Sequence, residues 1–158
     1  MQTVSAQSNV TLSPHIPHVR AVYSVGASDK PQLVSAEGAS EMVRRFFNPE
    51  TISYTEQMVM LLLNRANRVL GWARIGEGGI HGCVADIRVI FGIALSAGAT
   101  GILLAHNHPS GRLRPSTADI KLTEKLRTAG AALEIPVMDH LIIREEPGFF
   151  SFADEGYL

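Results

Sequence analysis

Hydrophobic residues fall along this chain in blocks whose spacing predicts alternating strands and helices. The run from Glu56 to Leu63 (EQMVMLLL) has too few polar residues for either face to meet water. A second apolar stretch runs from Val69 to Ile75, and the polar residues Asn64 to Asn67 separate the two. This pattern predicts a buried hairpin. The run from Gly101 to Ala105 (GILLA) is short, apolar and followed by polar residues, which predicts a central strand.

Three segments carry apolar residues at the three- and four-residue spacing of an amphipathic helix. The first is predicted to be capped at Ser40 and to stop at Asn48-Pro49. The second begins at Asp86, after a Gly-rich turn at 76–79, and closes at Gly98. The third begins at Ser116.

The order of the segments predicts an α/β fold. Two closing strands are expected, from Val137 to Arg144 and from Phe149 to Phe152. The resulting order is strand, strand, helix, strand, helix, strand. Because the hairpin pairs two strands in opposite directions, the sheet is predicted to be mixed and not purely parallel.

Length and composition favour one domain with a tail. The chain has 158 residues, of which 46% are hydrophobic, enough for one full-sized core. Residues 1–18 are rich in Ser, Thr, Gln and Pro, show no periodicity and are expected to form a mobile tail. Residues 19–39 are expected to contain an edge strand, Val19 to Val25, and a linker. The folded domain is predicted to span 40–158.

Charge and cysteine content exclude several functional classes. With 14 basic and 15 acidic residues the net charge is −1, so nucleic-acid binding would need a local basic patch. The single cysteine, Cys83, offers neither an internal disulfide nor a CxxC metal site, and a reducing cytoplasm fits best. The N-terminus does not look like a signal peptide, and no apolar run approaches eighteen residues, so neither secretion nor membrane insertion is predicted. The sequence does not fix the oligomeric state.

The polar chemistry concentrates in the segment HNHPSGRLRPSTAD, from His106 to Asp119. Side chains at i and i+2 of an extended chain point the same way, so His106 and His108 can converge on one ion. Asp119, on the first turn of the next helix, can supply a third ligand. Three protein ligands leave a fourth position for water, as in a catalytic zinc site. Glu56 is a candidate base for such a water, and Ser116 is a candidate hydrogen-bond donor to an oxyanion.

Each of these residues also has an ordinary structural interpretation. Most HxH tripeptides in soluble proteins bind no metal. Ser116 and Asp119 fit a helix capping box, and Glu56 fits the exposed start of a strand. His140 is predicted to be a core histidine or a group behind a ligand, and not a ligand itself.

The joint pattern resembles a known signature. Glu56, then His106-x-His108, seven residues, Ser116, two residues and Asp119 resembles the JAMM motif of JAB/MPN metalloprotease domains. The sequences HNHPSG at 106–111, PS at 115–116, DHLII at 139–143 and FSFADEG at 150–156 resemble the RadC branch of that family. Longer RadC proteins carry a helix-hairpin-helix segment before this domain, and the preceding forty residues here show no sign of one. The resemblance therefore indicates a short form.

The resemblance implies a fold, a metal and roles for these residues. The fold would be a three-layer α/β/α sandwich of cytidine-deaminase-like architecture. Zinc would be bound by His106, His108 and Asp119, with Glu56 as general base and Ser116 steadying the tetrahedral intermediate.

Three functions compete at this stage. The first is hydrolysis of a peptide or isopeptide bond in a peptide or protein substrate, through a water polarised by zinc. The second is the DNA-repair association for which RadC proteins are named, and the third is a scaffold without catalysis. A local basic rim would serve the second, and its members are Arg112, Arg114, Lys121, Lys125 and Arg127.

Overall fold

A computed structural model of the protein describes residues 29–78 and 85–158. The helices are α1 (Ala36–Arg44), α2 (Ile87–Ser96) and α3 (Thr117–Ala132), and the strands are β1 (Gln57–Leu63), β2 (Val69–Glu77), β3 (Gly101–Asn107), β4 (Val137–Ile143) and β5 (Phe149–Ser151). This order confirms the α/β prediction. The predicted tail, the edge strand Val19 to Val25 and Cys83 lie outside the described residues. In the part of the chain that is described, none of the helices is long and apolar enough to cross a bilayer.

The five strands form one sheet in the order β2-β1-β3-β4-β5. β3 and β4 are parallel, and the other neighbours are antiparallel, which confirms the mixed sheet. β1 and β3 are buried along their whole length, as their apolar sequences predict. β2 lies at the edge, and all its residues after Val69 are partly or fully exposed, so the predicted buried hairpin is buried on the β1 side only.

Helices cover both faces of the sheet. On one face α1 packs through Val43 against Leu61 of β1 and Ala105 of β3. On the other face α2 and α3 pack through Ile90 and Leu126 against the alternate residues of the same strands. These strand residues are Met58, Met60, Leu62, Ile102 and Leu104. The arrangement is the predicted three-layer α/β/α sandwich.

The predicted start of α1 at Ser40 is wrong. Ser35 is the N-cap, with an extended backbone and a side-chain oxygen that accepts a hydrogen bond from the Gly38 amide at 3.1 Å. Ser40 lies buried inside the helix, where its hydroxyl donates to the carbonyl of Glu37 at 2.8 Å. Ala39 packs into the core, so a small apolar residue extends the helix by a turn that a search for large side chains overlooks. The helix thus begins inside the segment 19–39 that was expected to hold a linker.

The other helix starts agree with the sequence. Asp86 caps α2 by accepting from the Arg88 amide at 2.9 Å, and Gly98 follows this helix with a φ of +63°. Ser116 caps α3. β3 is two residues longer than predicted because His106 and Asn107 are polar yet fully buried within the strand. β2 likewise extends through Gly76, which was assigned to a turn.

Candidate metal centre

The end of β3 brings two imidazole rings together. His106 belongs to the residues of β3 that face α2 and α3, and its side chain is fully buried. His108 follows the strand, with 15% of its side chain exposed. The turn after it closes where the Gly111 amide donates to the carbonyl of His108 at 2.9 Å. The Nε2 atoms of the two rings lie 3.0 Å apart, as the i, i+2 spacing predicts.

Asp119 reaches the same point from the first turn of α3. Its Oδ1 lies 3.4 Å from Nε2 of His106, and its Oδ2 lies 3.4 Å from Nε2 of His108. The capping box is also formed, because the Ser116 amide donates to Oδ2 at 2.6 Å and the Asp119 amide donates to the Ser116 hydroxyl at 3.2 Å. A carboxylate has about four acceptor positions, so one group serves both purposes. The two interpretations of this pair are therefore compatible.

A buried chain of hydrogen bonds behind His106 fixes the positions of the ring protons. Nδ1 of His106 lies 2.8 Å from Nε2 of His140, and Nδ1 of His140 lies 2.7 Å from Oγ1 of Thr123. Oγ1 of Thr123 also lies 2.7 Å from the carbonyl oxygen of Asp119. Two oxygens at that distance need a hydrogen between them, and only the threonine has one to give. Thr123 must therefore accept from His140.

The proton assignment then passes along the chain. Burial lowers the pKa of His140 well below its ordinary value, so the ring is neutral and carries one proton, on Nδ1. Its Nε2 is an acceptor, and Nδ1 of His106 must be the donor. The Nε2 atom of His106 consequently keeps its lone pair and points it at Asp119 and His108.

A backbone carbonyl makes the same assignment at His108. Nδ1 of His108 lies 2.8 Å from the carbonyl oxygen of Arg112, which can only accept. Nδ1 therefore carries a proton, and in the neutral ring the lone pair is on Nε2. Two nitrogen lone pairs and a carboxylate then converge, and such a group attracts a cation.

The separations fit a metal ion. One ligand atom from each of His106, His108 and Asp119 lies within 4.8 Å of the others. With metal–ligand bonds of about 2.0–2.1 Å at tetrahedral angles, ligand atoms stand about 3.3 Å apart. The ring nitrogens lie 3.0 Å apart, and each lies 3.4 Å from a different oxygen of Asp119, distances close to this value. These three residues form a group that can hold a metal ion.

The pKa shifts follow from the same contacts. Burial acts to lower the pKa of His108, but its hydrogen bonds to Asp119 and to the Arg112 carbonyl outweigh burial, and the pKa is raised. Burial acts to raise the pKa of Asp119, but the neighbouring His106 and His108 rings, in their protonated states, and Ser116 hold it far below the usual range. The carboxylate is therefore charged at neutral pH.

The two predicted catalytic residues come from the residue before β1 and from the N-cap of α3. Glu56 immediately precedes β1, is half-buried, and adds to the rise in the pKa of His108, so its charge is close to that ring. It continues the alternate residues of β1 that face α2 and α3, since Met58 of this series pairs with His106. The hydroxyl of Ser116 accepts from the Asp119 amide, which leaves its own proton for donation.

The sequence predicted that His140 is a core histidine or a group behind a ligand, and the ring is fully buried and contacts the candidate ligand His106. Sequence reasoning missed Thr123, whose signal was a hydroxyl residue four positions after Asp119 on the buried face of α3. The sequence also gave no indication of a role for Asn107, which lies between the two candidate histidine ligands. The five basic residues of the predicted rim are all exposed, and they are Arg112, Arg114, Lys121, Lys125 and Arg127.

Comparison with known proteins agrees with this architecture. A family model described as RadC-like JAB domain matches residues 34–157. A UPF0758 protein of Flavobacterium johnsoniae is 48% identical over 101 residues, which make up 64% of this chain and 44% of that protein. A UPF0758 protein of Porphyromonas gingivalis is 45% identical over 103 residues, or 65% of this chain and 45% of that protein. The chain therefore matches less than half the length of these relatives. It belongs to the RadC-like JAB domain family.

Proposed function

We propose that the protein is a zinc-dependent hydrolase that cleaves an amide bond, peptide or isopeptide, in a peptide or protein substrate. The observation that supports this is the convergence of two nitrogen lone pairs and one carboxylate within 3.4 Å, with both ring protons held on the far side. Two imidazoles and one carboxylate are a common zinc ligand set, and three ligands are typical of catalytic sites. Family membership supports the same class of domain.

The roles in the reaction follow from the chemistry of each side chain. When bound, zinc supplies a Lewis acid that polarises a water molecule and the substrate carbonyl. Glu56 accepts a proton as the water attacks the carbonyl carbon, and then donates it to the amine as the carbon–nitrogen bond breaks. Ser116 donates a hydrogen bond to the carbonyl oxygen while negative charge develops there.

The nucleic-acid and scaffold alternatives remain predictions. The exposed basic residues supply charge but no base-reading pattern, and a solvated helix face has the same appearance. Binding of a DNA fragment that weakens steeply as salt increases would favour the second function. The third would be favoured if the protein holds zinc but no amide substrate is cut.

The first experiment is metal analysis of tag-free protein. The variants are His106→Ala and Asp119→Ala, which remove ligands, and Glu56→Gln, which keeps them. Glu124→Gln is the matched control, because Glu124 is an exposed acid on the same helix as Asp119. We expect about one zinc per chain in the parent, the control and Glu56→Gln, and loss of zinc from the first two.

The second experiment measures hydrolysis of mixed peptide and isopeptide substrates by the same proteins. Glu56→Gln is expected to hold zinc and to lose cleavage, and a chelator is expected to abolish cleavage by the parent. Absence of zinc from the parent, or its retention in His106→Ala, would overturn the metal assignment. Undiminished cleavage by Glu56→Gln would overturn the role of the base.

A further inference from the structure

The residue between the two histidines faces away from them. Asn107 is the last residue of β3, is fully buried, and continues the series of Leu103 and Ala105 that faces α1. Its amide contacts the segment 48–56, which is part of the connection from α1 to β1. The tripeptide His106-Asn107-His108 therefore directs its outer side chains to one face of the sheet and its middle side chain to the other.

The Asn107 amide holds both neighbours of Glu56. Its Nδ2 donates to the carbonyl of Thr55 at 2.9 Å and to the carbonyl of Ile52 at 2.6 Å. Its Oδ1 accepts from the amide of Gln57 at 2.7 Å. Both donors of the amide are thus used, and one of its acceptor positions. The hydrogen bonds on each side of Glu56 are therefore both made by Asn107, which is covalently joined to the candidate ligands His106 and His108.

A second buried amide ties down the rest of the segment. Oε1 of Gln57 accepts from the Asn48 amide at 3.0 Å, and its Nε2 donates to the Thr51 hydroxyl at 2.8 Å. Arg74 of β2 donates to the same Oε1 at 2.7 Å. The segment is therefore closed on itself by Gln57 and fastened to the centre of the sheet by Asn107.

We propose that Asn107 is a positioning residue that sets the location of the Glu56 carboxylate relative to the metal site. The inference rests on the proposed function, since it takes Glu56 as the base. A base must stand within hydrogen-bond reach of the proton that it accepts, so a small displacement is costly. Because Asn107 is covalently bonded to His106 and His108, movement of the ligands and of the carboxylate is coupled through one residue.

The test uses Asn107→Leu, which keeps the size of the side chain and removes all three hydrogen bonds. Leu103→Ala is the matched control, because Leu103 is buried on the same face of the same strand and belongs to its core. Asn107→Asp is the second variant, since it keeps the acceptor for Gln57 and loses at least one donor. It covers the case in which the leucine variant does not fold.

The first readout is amide hydrogen exchange of the metal-free protein. In Asn107→Leu we expect the Gln57 amide and segment 48–56 to exchange about tenfold faster or more, as loss of buried hydrogen bonds requires. The exchange of β4 should change no more than in Leu103→Ala, and Asn107→Asp should be intermediate. Equal acceleration of segment 48–56 in Leu103→Ala would overturn the proposal, since the faster exchange would then reflect a loss of overall stability alone.

The second readout is the pH dependence of the absorption of the cobalt(II)-loaded protein. Glu56→Gln removes a negative charge close to the metal. The pH at the midpoint of the absorption change should therefore be lower in this variant than in the parent. Asn107→Leu should keep the cobalt bands and produce at least half of that shift, and the double variant should shift no further than Glu56→Gln. Additive shifts would overturn the proposal. Failure of the parent to bind cobalt would overturn the proposed function alone, since the exchange measurement needs no metal.

Discussion

Thr123 and His140 share a buried hydrogen bond of 2.7 Å, although neither residue belongs to the group that can hold a metal. The threonine proton is committed to the Asp119 carbonyl, so the bond fixes the proton of His140 on Nδ1. His140 then accepts a hydrogen bond from Nδ1 of His106, and the lone pair on Nε2 of His106 faces the candidate metal position. A hydroxyl group in the core thus decides the chemistry available at the end of β3.

Replacement of this hydroxyl should weaken metal binding. Thr123→Val keeps the shape of the side chain and removes both hydrogen bonds, so His140 and His106 can adopt the opposite tautomers. Groups of this kind typically change metal affinity by about 10–100-fold. We expect a loss of that order, measured by competition for zinc with a chelator of known affinity.

Thr128→Val is the control for this measurement. Thr128 makes the same kind of bond to a helix carbonyl, that of Glu124 at 2.9 Å, but its side chain is exposed, whereas that of Thr123 is buried against His140. Its zinc affinity should equal that of the parent. Equal affinity in Thr123→Val as well would show that the tautomer is not controlled by this bond.

Ser116 combines two functions that substitutions can separate. Because Ser116 is an N-cap, its replacement by Ala should lower the free energy of unfolding by about 1 kcal/mol, and its replacement by Gly should lower it by only a few tenths of a kcal/mol. Both variants lose the hydroxyl that would donate to the oxyanion, so the rate of hydrolysis should fall by about 100- to 1000-fold in each. Urea unfolding of the metal-free protein and hydrolysis rates give the two rankings. A rate loss that follows the stability ranking would leave Ser116 as a cap only.

Protons and metal ions compete for His108. Its pKa in the metal-free protein is raised above the ordinary value of about 6.5, so the protonated ring contributes stability that is complete below pH ~6.5 and is lost as pH rises through the folded pKa. Metal binding requires the neutral His108 ring, which has a free lone pair on Nε2. Below the folded pKa, zinc affinity should fall about tenfold for each unit of pH.

This competition can be measured by unfolding the protein with zinc or with a chelator from pH 5.5 to 8.5 (about three pH units). Stabilisation by zinc should grow with pH, while the chelator-treated protein loses stability over the upper part of the range. His108→Gln should remove this part of the pH dependence in the chelator-treated protein. A zinc affinity that does not change with pH would contradict the assignment of His108 as a ligand.

The sequence predicted the order of elements because their signals are local. The apolar run of β3, the caps at Asp86 and Ser116 and the positive φ of Gly98 each depend on neighbouring residues alone. The start of α1 was missed because Ala36 and Ala39 lack the large side chains that mark a buried face. The Ser35 cap and the burial of Ala39, and not the spacing of large apolar residues, decide that end.

The site was predictable only as a set of residues. The spacing of His106, His108 and Asp119 suggested convergence, but the tautomers depend on His140 of β4 and Thr123 of α3, which only the fold brings together. The same holds for Asn107, whose three partners lie about fifty residues earlier in the chain. Long-range hydrogen bonds leave no periodic trace in a sequence.

Gly130 offers a test of the packing that positions α3 behind the site. A Cβ atom there would lie 2.5 Å from the carbonyl oxygen of Ile135 and 3.3 Å from Cζ of Phe91. Helix propensity alone favours alanine by up to about 1 kcal/mol, whereas the collision should cost about 1–3 kcal/mol. We expect the collision to win, since the nearest atom belongs to the backbone and Ile135 is held by a bond from its amide to the Gly130 carbonyl at 2.9 Å.

The matched variant is Gly92→Ala in α2, where a Cβ atom would meet nothing within 4 Å. This exposed position should follow propensity and gain about 0.5–1 kcal/mol. Urea unfolding of the two variants should therefore give free-energy changes of opposite sign. Stabilisation by Gly130→Ala would mean that the connection from α3 to β4 yields easily, and zinc affinity should then also be insensitive to that substitution. Destabilisation together with weaker zinc binding would show that the packing of α3 holds Asp119 in place.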